Sequence, residues 1–422
     1  MDFSPSPQVT ELQERIRSFM DEHVYPNERE AAEALDEEVG PGVAYPVIIR
    51  EVRERARSEG LWNLFMPDER YGPGLANWEY GILCEEMGRS PVLAPMAFNC
   101  SAPDTGNMEI LADHGTDEQK EQWLQPLLEG EIRSCFSMTE PEVSGSDPTT
   151  LRASAELDGD EWLINGHKWF TSGAVGASLA IAMVVTEPEG HPYARASMIL
   201  VPTDNPGFDL VRAVPVMGHA GGPGHCEIRY EDCRVPAANL LGERGMGFVI
   251  AQDRLGPGRI HHCMRAIGTA ERAIEMMCDR ANSRHAFGGP LADKQFIQDF
   301  VAKSRMEVDQ ARLLTLYAAW KMDTEGKRAA RQEISMIKVV AANVVMDVLD
   351  RAIQTHGSLG MTDDTPLAAL WRFSRMLRLA DGPDEVHKMV IARRELNRRA
   401  KLAAGDDAGS DGVAPEPAKT AG

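Results

Sequence analysis

Residues able to do chemistry concentrate in two short segments and one doublet. The first segment is LRLADGPDEVHK, Leu377 to Lys388, where Asp381, Asp384 and Glu385 crowd a Gly-Pro turn after an apolar run. Such a turn can cap the following helix, EVHKMVIARREL, through Asp381 or Asp384. It can also present one carboxylate as a general base, with a raised pKa if that group faces an apolar pocket. The second segment is CFSMTEPEVSGSDPTT, Cys135 to Thr150, which carries Ser137, Thr139, Ser144, Ser146 and Thr149 around Gly145. Read plainly it is a solvated loop. Read chemically, its N–H and O–H groups could bond a planar heteroaromatic ring and a ligand lying on it, and Pro141 and Pro148 favour a preset shape. The doublet is His261-His262 in GPGRIHHCMRAIG. Neighbouring helical side chains point about 100° apart, so the two imidazoles could not easily share one metal ion, and a structural or ligand-lining role fits better. The stretch GHAGGPGH, Gly218 to His225, could cradle a phosphate or simply loop before a strand. No GxGxxG follows a predicted strand, and neither GxxxxGK[ST] nor GxSxG occurs, so a Rossmann turn, a P-loop and a serine-nucleophile elbow lack support.

The elements that must hold these groups fall into three zones within 422 residues of ordinary globular composition, 43% hydrophobic and 26% charged. Forty-four basic against 65 acidic residues leave a net charge of −21. That surface repels nucleic acid and anionic lipid, so a phosphate-bearing small ligand needs its own local cations. The longest apolar runs fall far short of the roughly 18 residues of a membrane span. The acidic N-terminus does not read as a signal or transit peptide, and seven scattered cysteines without a CxxC read as reduced thiols. Both features imply a cytoplasmic protein. Residues 1–132 read as an N-terminal α-helical bundle, opened by Pro and Ser before an apolar-periodic run. Residues 133–245 change period. Asp158-Gly159 and Asn165-Gly166 are hairpin dipeptides, ASLAIAMVV and ASMILV are apolar strands, and Cys226, Ile228 and Tyr230 alternate with polar neighbours. This zone is expected to form a central antiparallel β domain. Residues 246–402 return to long helices, with apolar faces at Ile297, Val301, Val308 and Ala311 and at Ile334, Ile337, Ala341, Val344 and Val348. Residues 403–422 read as a disordered tail. The fold class is α+β in the order helices, β, helices.

Five motifs in order, TEPEVSGSD, NGHKWFTSGA, RHAFGGPLADKQ, QTHGSLG and ADGPDEVH, resemble the flavin-dependent acyl-CoA dehydrogenases, most of all the dehydrogenase portion of family members ten and eleven. The resemblance implies an N-terminal α bundle, a central β domain and a C-terminal four-helix bundle, with FAD between the last two. It places Phe136, Met138 and Thr139 along the isoalloxazine, continued by Gly145 and Ser146, with Phe170 and Ser172 on the other side. Phe170 stands where the family usually has tryptophan. Arg284, Phe287 and Gln295 would reach the pyrophosphate of a neighbouring subunit's FAD, a role suited to a guanidinium. Gln354, Gly357 and Ser358 would contact the ADP half, again across subunits, in a homodimer or homotetramer. Ser144 and Arg259 would lie along the acyl-CoA.

The family's base is usually a glutamate in a Glu-Gly-Thr turn, and the matching residues are Asp381-Gly382-Pro383. By resemblance Asp381 removes an α-proton while a hydride leaves the β-carbon for the flavin. Aspartate is one methylene shorter, so substrate or helix must sit closer, and Pro383 deletes the threonine contact. A second family position for the base corresponds to Gly258, which cannot serve, and leaves Asp253 as the nearby fallback. The implied activity is dehydrogenation of a saturated acyl-CoA to a trans-2-enoyl-CoA in fatty-acid β-oxidation, with electrons passing to an electron-transfer flavoprotein. Two alternatives remain open on the same motifs. One is a flavin-containing lyase or isomerase on 4-hydroxy- or 4-phospho-acyl-CoA served by a separate kinase; the other is a non-catalytic acyl-CoA-binding protein.

Overall fold

The computed structural model describes residues 4–219 and 222–404. The expected disordered tail lies outside them from residue 405 onward, as do two glycine-loop residues, Ala220 and Gly221. Helix α1 (Pro7–Phe19) starts where the sequence places it. The Ser6 hydroxyl accepts from the Val9 N–H, Pro7 occupies the first turn, and Val9, Leu12, Ile16 and Phe19 turn inward. The first zone continues through α2 (Glu28–Glu38), α3 (Val47–Ser58), α4 (Asn77–Gly88), α5 (Leu93–Ala97), α6 (Asp104–His114), α7 (Asp117–Gln119) and α8 (Gln125–Glu129).

The middle zone is one sheet of eight strands: β1 (Ser134–Ser137), β2 (Ser154–Asp158), β3 (Glu161–Ser172), β4 (Leu179–Val185), β5 (Ala196–Pro202), β6 (Phe208–Ala213), β7 (His225–Pro236) and β8 (Leu240–Leu241). Strand order is β6-β7-β3-β2-β4-β5-β8, with β1 also on β4. Most pairings are antiparallel, but β1 runs parallel to β4, and so does the end of β2. The whole of β4 is buried because it separates two cores. Leu179, Ile181 and Met183 join the core of the helical bundles, while Ala180, Ala182 and Val184 face the interior of the β domain. A continuous apolar run is therefore what this strand requires. Asp158 and Glu161 close the β2–β3 hairpin around Gly159, as the dipeptide predicts. Asn165-Gly166 does not close a hairpin. It lies inside β3 at an irregularity opposite β7, where Gly166 (φ +158°) admits Ala153 and the Asn165 amide exchanges hydrogen bonds with Asp232. The glycine answers close packing at a bulge rather than a turn.

The last zone holds α9 (Gly247–Ser283), the hairpin strands β9 (His285–Ala286) and β10 (Gly289–Pro290), then α10 (Gln295–Glu325), α11 (Arg331–His356), α12 (Leu367–Arg375) and α13 (Asp384–Ala404). The four long helices α9, α10, α11 and α13 make the bundle, and α9 carries Pro257 in its interior. Helix α4 crosses α9 with backbones in contact. A Cβ added at Gly268 would collide with the Glu85 carbonyl, and one at Gly88 with Arg265. The Thr269 hydroxyl donates to the Gly88 carbonyl at 2.6 Å. This crossing docks the first bundle on the last and so frames the region where the motifs meet. Among the described residues, no helix is long and apolar enough to cross a membrane.

Candidate active site

The hydroxyl-rich segment is pinned from beneath. The Lys168 Nζ donates to the Met138 carbonyl (2.9 Å), to Glu140 Oε1 (2.8 Å) and to the Met183 carbonyl (2.7 Å), with both charged side chains shut off from water. Burial pushes the Lys168 amine down to about 8, although Glu140 opposes that shift. The Glu140 carboxylate also accepts the N–H groups of Arg152 and Ala153, and the Trp169 N–H donates to the Thr139 carbonyl. Both ends of the loop are thereby held. Its middle stays open, with Ser144, Gly145 and Ser146 exposed and the two serine hydroxyls 2.8 Å apart. The Thr139 hydroxyl has no hydrogen-bond partner among the described residues, and a Cβ at Gly145 would lie 2.8 Å from its methyl group. Phe170 adopts the left-handed conformation (φ +48°) and is 42% exposed. Beside it, the Ser172 hydroxyl lies 2.6 Å from His225 Nδ1, at the end of the glycine-rich stretch. A flat apolar wall, a free hydroxyl and an open small-residue loop suit a planar heteroaromatic ring with polar edges.

The carboxylate turn is built from three helices. Asp381 sits at φ +56° and Gly382 at +103°, just before α13. The Asp381 carbonyl accepts from Arg259 Nε of α9 (3.0 Å), and His387 Nε2 of α13 lies 3.2 Å from it. The Asp381 carboxylate lies 3.5 Å from His262 Nε2. Burial alone works against its charge, but His262, Lys338, Arg259 and Arg254 together hold the carboxyl below its ordinary range. The apolar-pocket expectation of a raised pKa thus fails, because cations line the pocket. Asp384, by contrast, is committed to structure: it opens α13, pairs with Arg378 Nε at 2.9 Å and accepts from Asn343.

Arg254 joins the two halves. Its guanidinium stacks 4.2 Å from the Phe136 ring centroid, its Nε donates to Asn107, and its charge reaches Asp381. Arg254, Lys338, His387 and Lys168 each lie in an ordinary helical or strand pattern along the chain and gain meaning only from a partner brought near by the fold. For Arg254 and Arg259, the dense cationic text DRLGPGRIHH was the available signal. Of the doublet, His261 packs edge-on against Tyr80 (4.7 Å) and His262 turns to Asp381. Arg259 is engaged with the Asp381 backbone. The fallback Asp253 points instead to His114 (3.2 Å).

The remaining expected residues stand apart. Arg284 follows α9, Phe287 is fully exposed at the β9–β10 turn, and Gln295 opens α10. Gln354, Gly357 and Ser358 are exposed at the end of α11. Among the described residues, neither group makes a hydrogen bond or ring contact with the Phe136–Ser172 region.

Helices, an eight-stranded sheet and a helical bundle gathered around one turn carboxylate and one hydroxyl-rich loop define a class. The chain belongs to the acyl-CoA dehydrogenase family, whose N-terminal, middle and C-terminal domain profiles match residues 6–131, 135–233 and 245–396. It is an enzyme of the oxidoreductases acting on a CH–CH group, and the family implies a flavin cofactor. Among its relatives, acyl-CoA dehydrogenase FadE2 of Mycobacterium tuberculosis is 50% identical, over 94% of this chain and 98% of that protein. Acyl-CoA dehydrogenase family member 11 of Rattus norvegicus is 47% identical over 94% of this chain, which spans only 52% of that longer protein. A solved acyl-CoA dehydrogenase structure from Mycobacterium abscessus superposes with a TM-score of 0.89 at 47% identity, covering 94% of this chain and all of that one.

Proposed function

We propose that this protein is an FAD-dependent acyl-CoA dehydrogenase that converts a saturated acyl-CoA to a trans-2-enoyl-CoA and passes the electrons to an electron-transfer flavoprotein. What supports this reading is the Asp381 carboxylate, held below its ordinary range in the turn that resembles the family's base position, with Arg254 linking it to the Phe136 wall. Bound FAD supplies the hydride acceptor. The chain supplies the rest: Asp381 takes the α-proton, and Phe136, Met138 and Phe170 give the ring apolar faces. Thr139, Gly145, Ser146 and Ser172 give it polar contacts, and Ser144 and Arg259 line the substrate path. In a homodimer or homotetramer, the exposed Arg284, Phe287 and Gln295 and the exposed Gln354, Gly357 and Ser358 are free to meet a neighbour's cofactor. Anaerobic titration of the purified holoprotein with saturated and branched acyl-CoAs tests the reading. Flavin bleaching is expected, and Asp381→Asn should abolish it.

One observation favours a second reading, a flavin-containing lyase or isomerase acting on a 4-hydroxy- or 4-phospho-acyl-CoA. Arg254, Arg259 and Lys338 stand around a single carboxylate, more positive charge than an unsubstituted acyl chain needs. Such an enzyme turns over with no electron acceptor present, whereas a dehydrogenase stops after one flavin reduction.

A further inference from the structure

In Asp381 the backbone is fixed and the side chain is short. Its carbonyl is gripped from two helices, by Arg259 of α9 and His387 of α13, and a Cβ on the next residue, Gly382, would press 2.8 Å from His387 Nε2. The turn therefore cannot slide toward a substrate to make up for the missing methylene. Only the carboxylate's own rotation is left to set. The group that faces it for that purpose is His262, on the same side of α9 as Arg259 and three residues further on. Its Nε2 lies 3.5 Å from Asp381 Oδ2, and both side chains are about one-fifth exposed (23% and 20%). This is ion-pair distance, and such contacts commonly tighten into hydrogen bonds once substrate expels water.

The surroundings decide the imidazole's protonation state. Around His262 stand Asp381 from the turn, Lys338 from α11, and Arg254 and Arg265 from α9 itself. Burial dominates and, with those three cations, pushes the imidazole down to about 4 against the pull of Asp381. A neutral imidazole facing an ionised carboxylate is a hydrogen-bond donor through Nε2–H.

We propose that the proton acceptor is an Asp381–His262 pair, in which His262 Nε2–H holds Oδ2 and leaves Oδ1 directed at the substrate's α-carbon. His262 is thus a positioning residue. The inference rests on the dehydrogenase reading. In the step it serves, the α C–H bond breaks and an O–H bond forms on Oδ1. The released electron pair becomes the new carbon–carbon π bond, and the β-hydrogen leaves with its own pair to the FAD.

The test uses FAD-loaded full-length protein and straight-chain saturated acyl-CoAs from butyryl to palmitoyl, with flavin reduction followed anaerobically across pH. In His262→Leu we expect unchanged flavin content and acyl-CoA affinity. We expect a reduction rate lower by about 100-fold and an acid limb moved to higher pH, because the carboxylate loses a donor that favours its charged form. His262→Gln, which keeps an N–H, should recover part of the rate, and adding His262→Leu to Asp381→Asn should cost nothing more. Should leucine cost the fold, His262→Phe, with a ring of similar size, gives the same readout. A wild-type rate and unmoved acid limb in the apolar variant, with Asp381→Asn inactive, would overturn the pair alone. Full reduction in Asp381→Asn, or none in the wild type with any acyl-CoA of the series, would overturn the dehydrogenase reading and the pair with it.

Discussion

The Lys168 ammonium lies 2.8 Å from a Glu140 carboxylate oxygen with neither side chain reaching solvent, and the pair ties β3 to the hydroxyl-rich loop and to β4. A buried pair of this kind is poor evidence of stability but costly to break, since removal of one member strands the other charge. Lys168→Met is expected to lower unfolding free energy by about 3–5 kcal/mol in chemical denaturation. It should also release the flavin the family implies on gel filtration, because Met138 and Thr139 lose their anchor. Glu140→Gln, which keeps an acceptor for the backbone amides, should be milder.

Glu109 of α6 is largely enclosed, with Oε2 unpartnered, and burial pushes its carboxyl up to about 8 despite Lys327 and Arg254. A raised acid binds its proton more tightly in the fold than in the open chain. The contribution of Glu109 to stability is therefore fullest at low pH and is lost as pH rises from about 4.5 through about 8. Glu109→Gln should flatten that decline and stabilise the protein above the window by roughly 2 kcal/mol, after allowing for partial solvent screening. Thermal unfolding measured at several pH values checks it; a decline unchanged in the variant would refute it.

The crossing of α4 and α9 depends on glycine. Gly268→Ala forces a methyl into the Glu85 carbonyl, so the two helices must part. We expect a loss of about 2–4 kcal/mol by analogy with other overpacked cores, read as a lower melting temperature. Gly258→Ala, in open space on the same helix, is the control and should change stability little.

If Asp381 is the base proposed above, it must be ionised to act, so activity disappears as pH falls through its carboxyl's pKa. Since Asp381 is held below the ordinary range, the rate of flavin reduction should be flat across neutral pH on the acid side. Arg254→Met removes one of the cations responsible and should move the acid limb upward. The variant also uncovers the Phe136 ring, which a shifted flavin absorption spectrum would report. An unmoved limb would show that Arg254 does not govern the carboxylate.

Much of the architecture was legible because burial writes a periodic signature. The apolar runs of β4 and β5, the alternation in β7 and the Ser-Pro start of α1 all appear where the pattern places them. Asn165-Gly166 misled because a dipeptide reports a backbone need for glycine without saying whether a turn or a close neighbour creates it. The carboxylate turn and the hydroxyl loop stood out through their local density of polar atoms. The groups that tune them did not. Lys168 and Glu140 are 28 positions apart, and His262 and Asp381 are far more distant along the chain.

What the chain determines by itself is the identity of its elements and the placing of reactive side chains on turns, since propensity, capping and amphipathic period act over a few neighbours. What only the tertiary structure decided is the state of those side chains. Whether Asp381 is charged, which histidine faces it and whether a lysine is buried beneath a loop depend on fields and contacts between segments far apart in order. Those interactions fall off with distance in space, so the folded arrangement of α9, α11 and α13 had to exist before they could take a value.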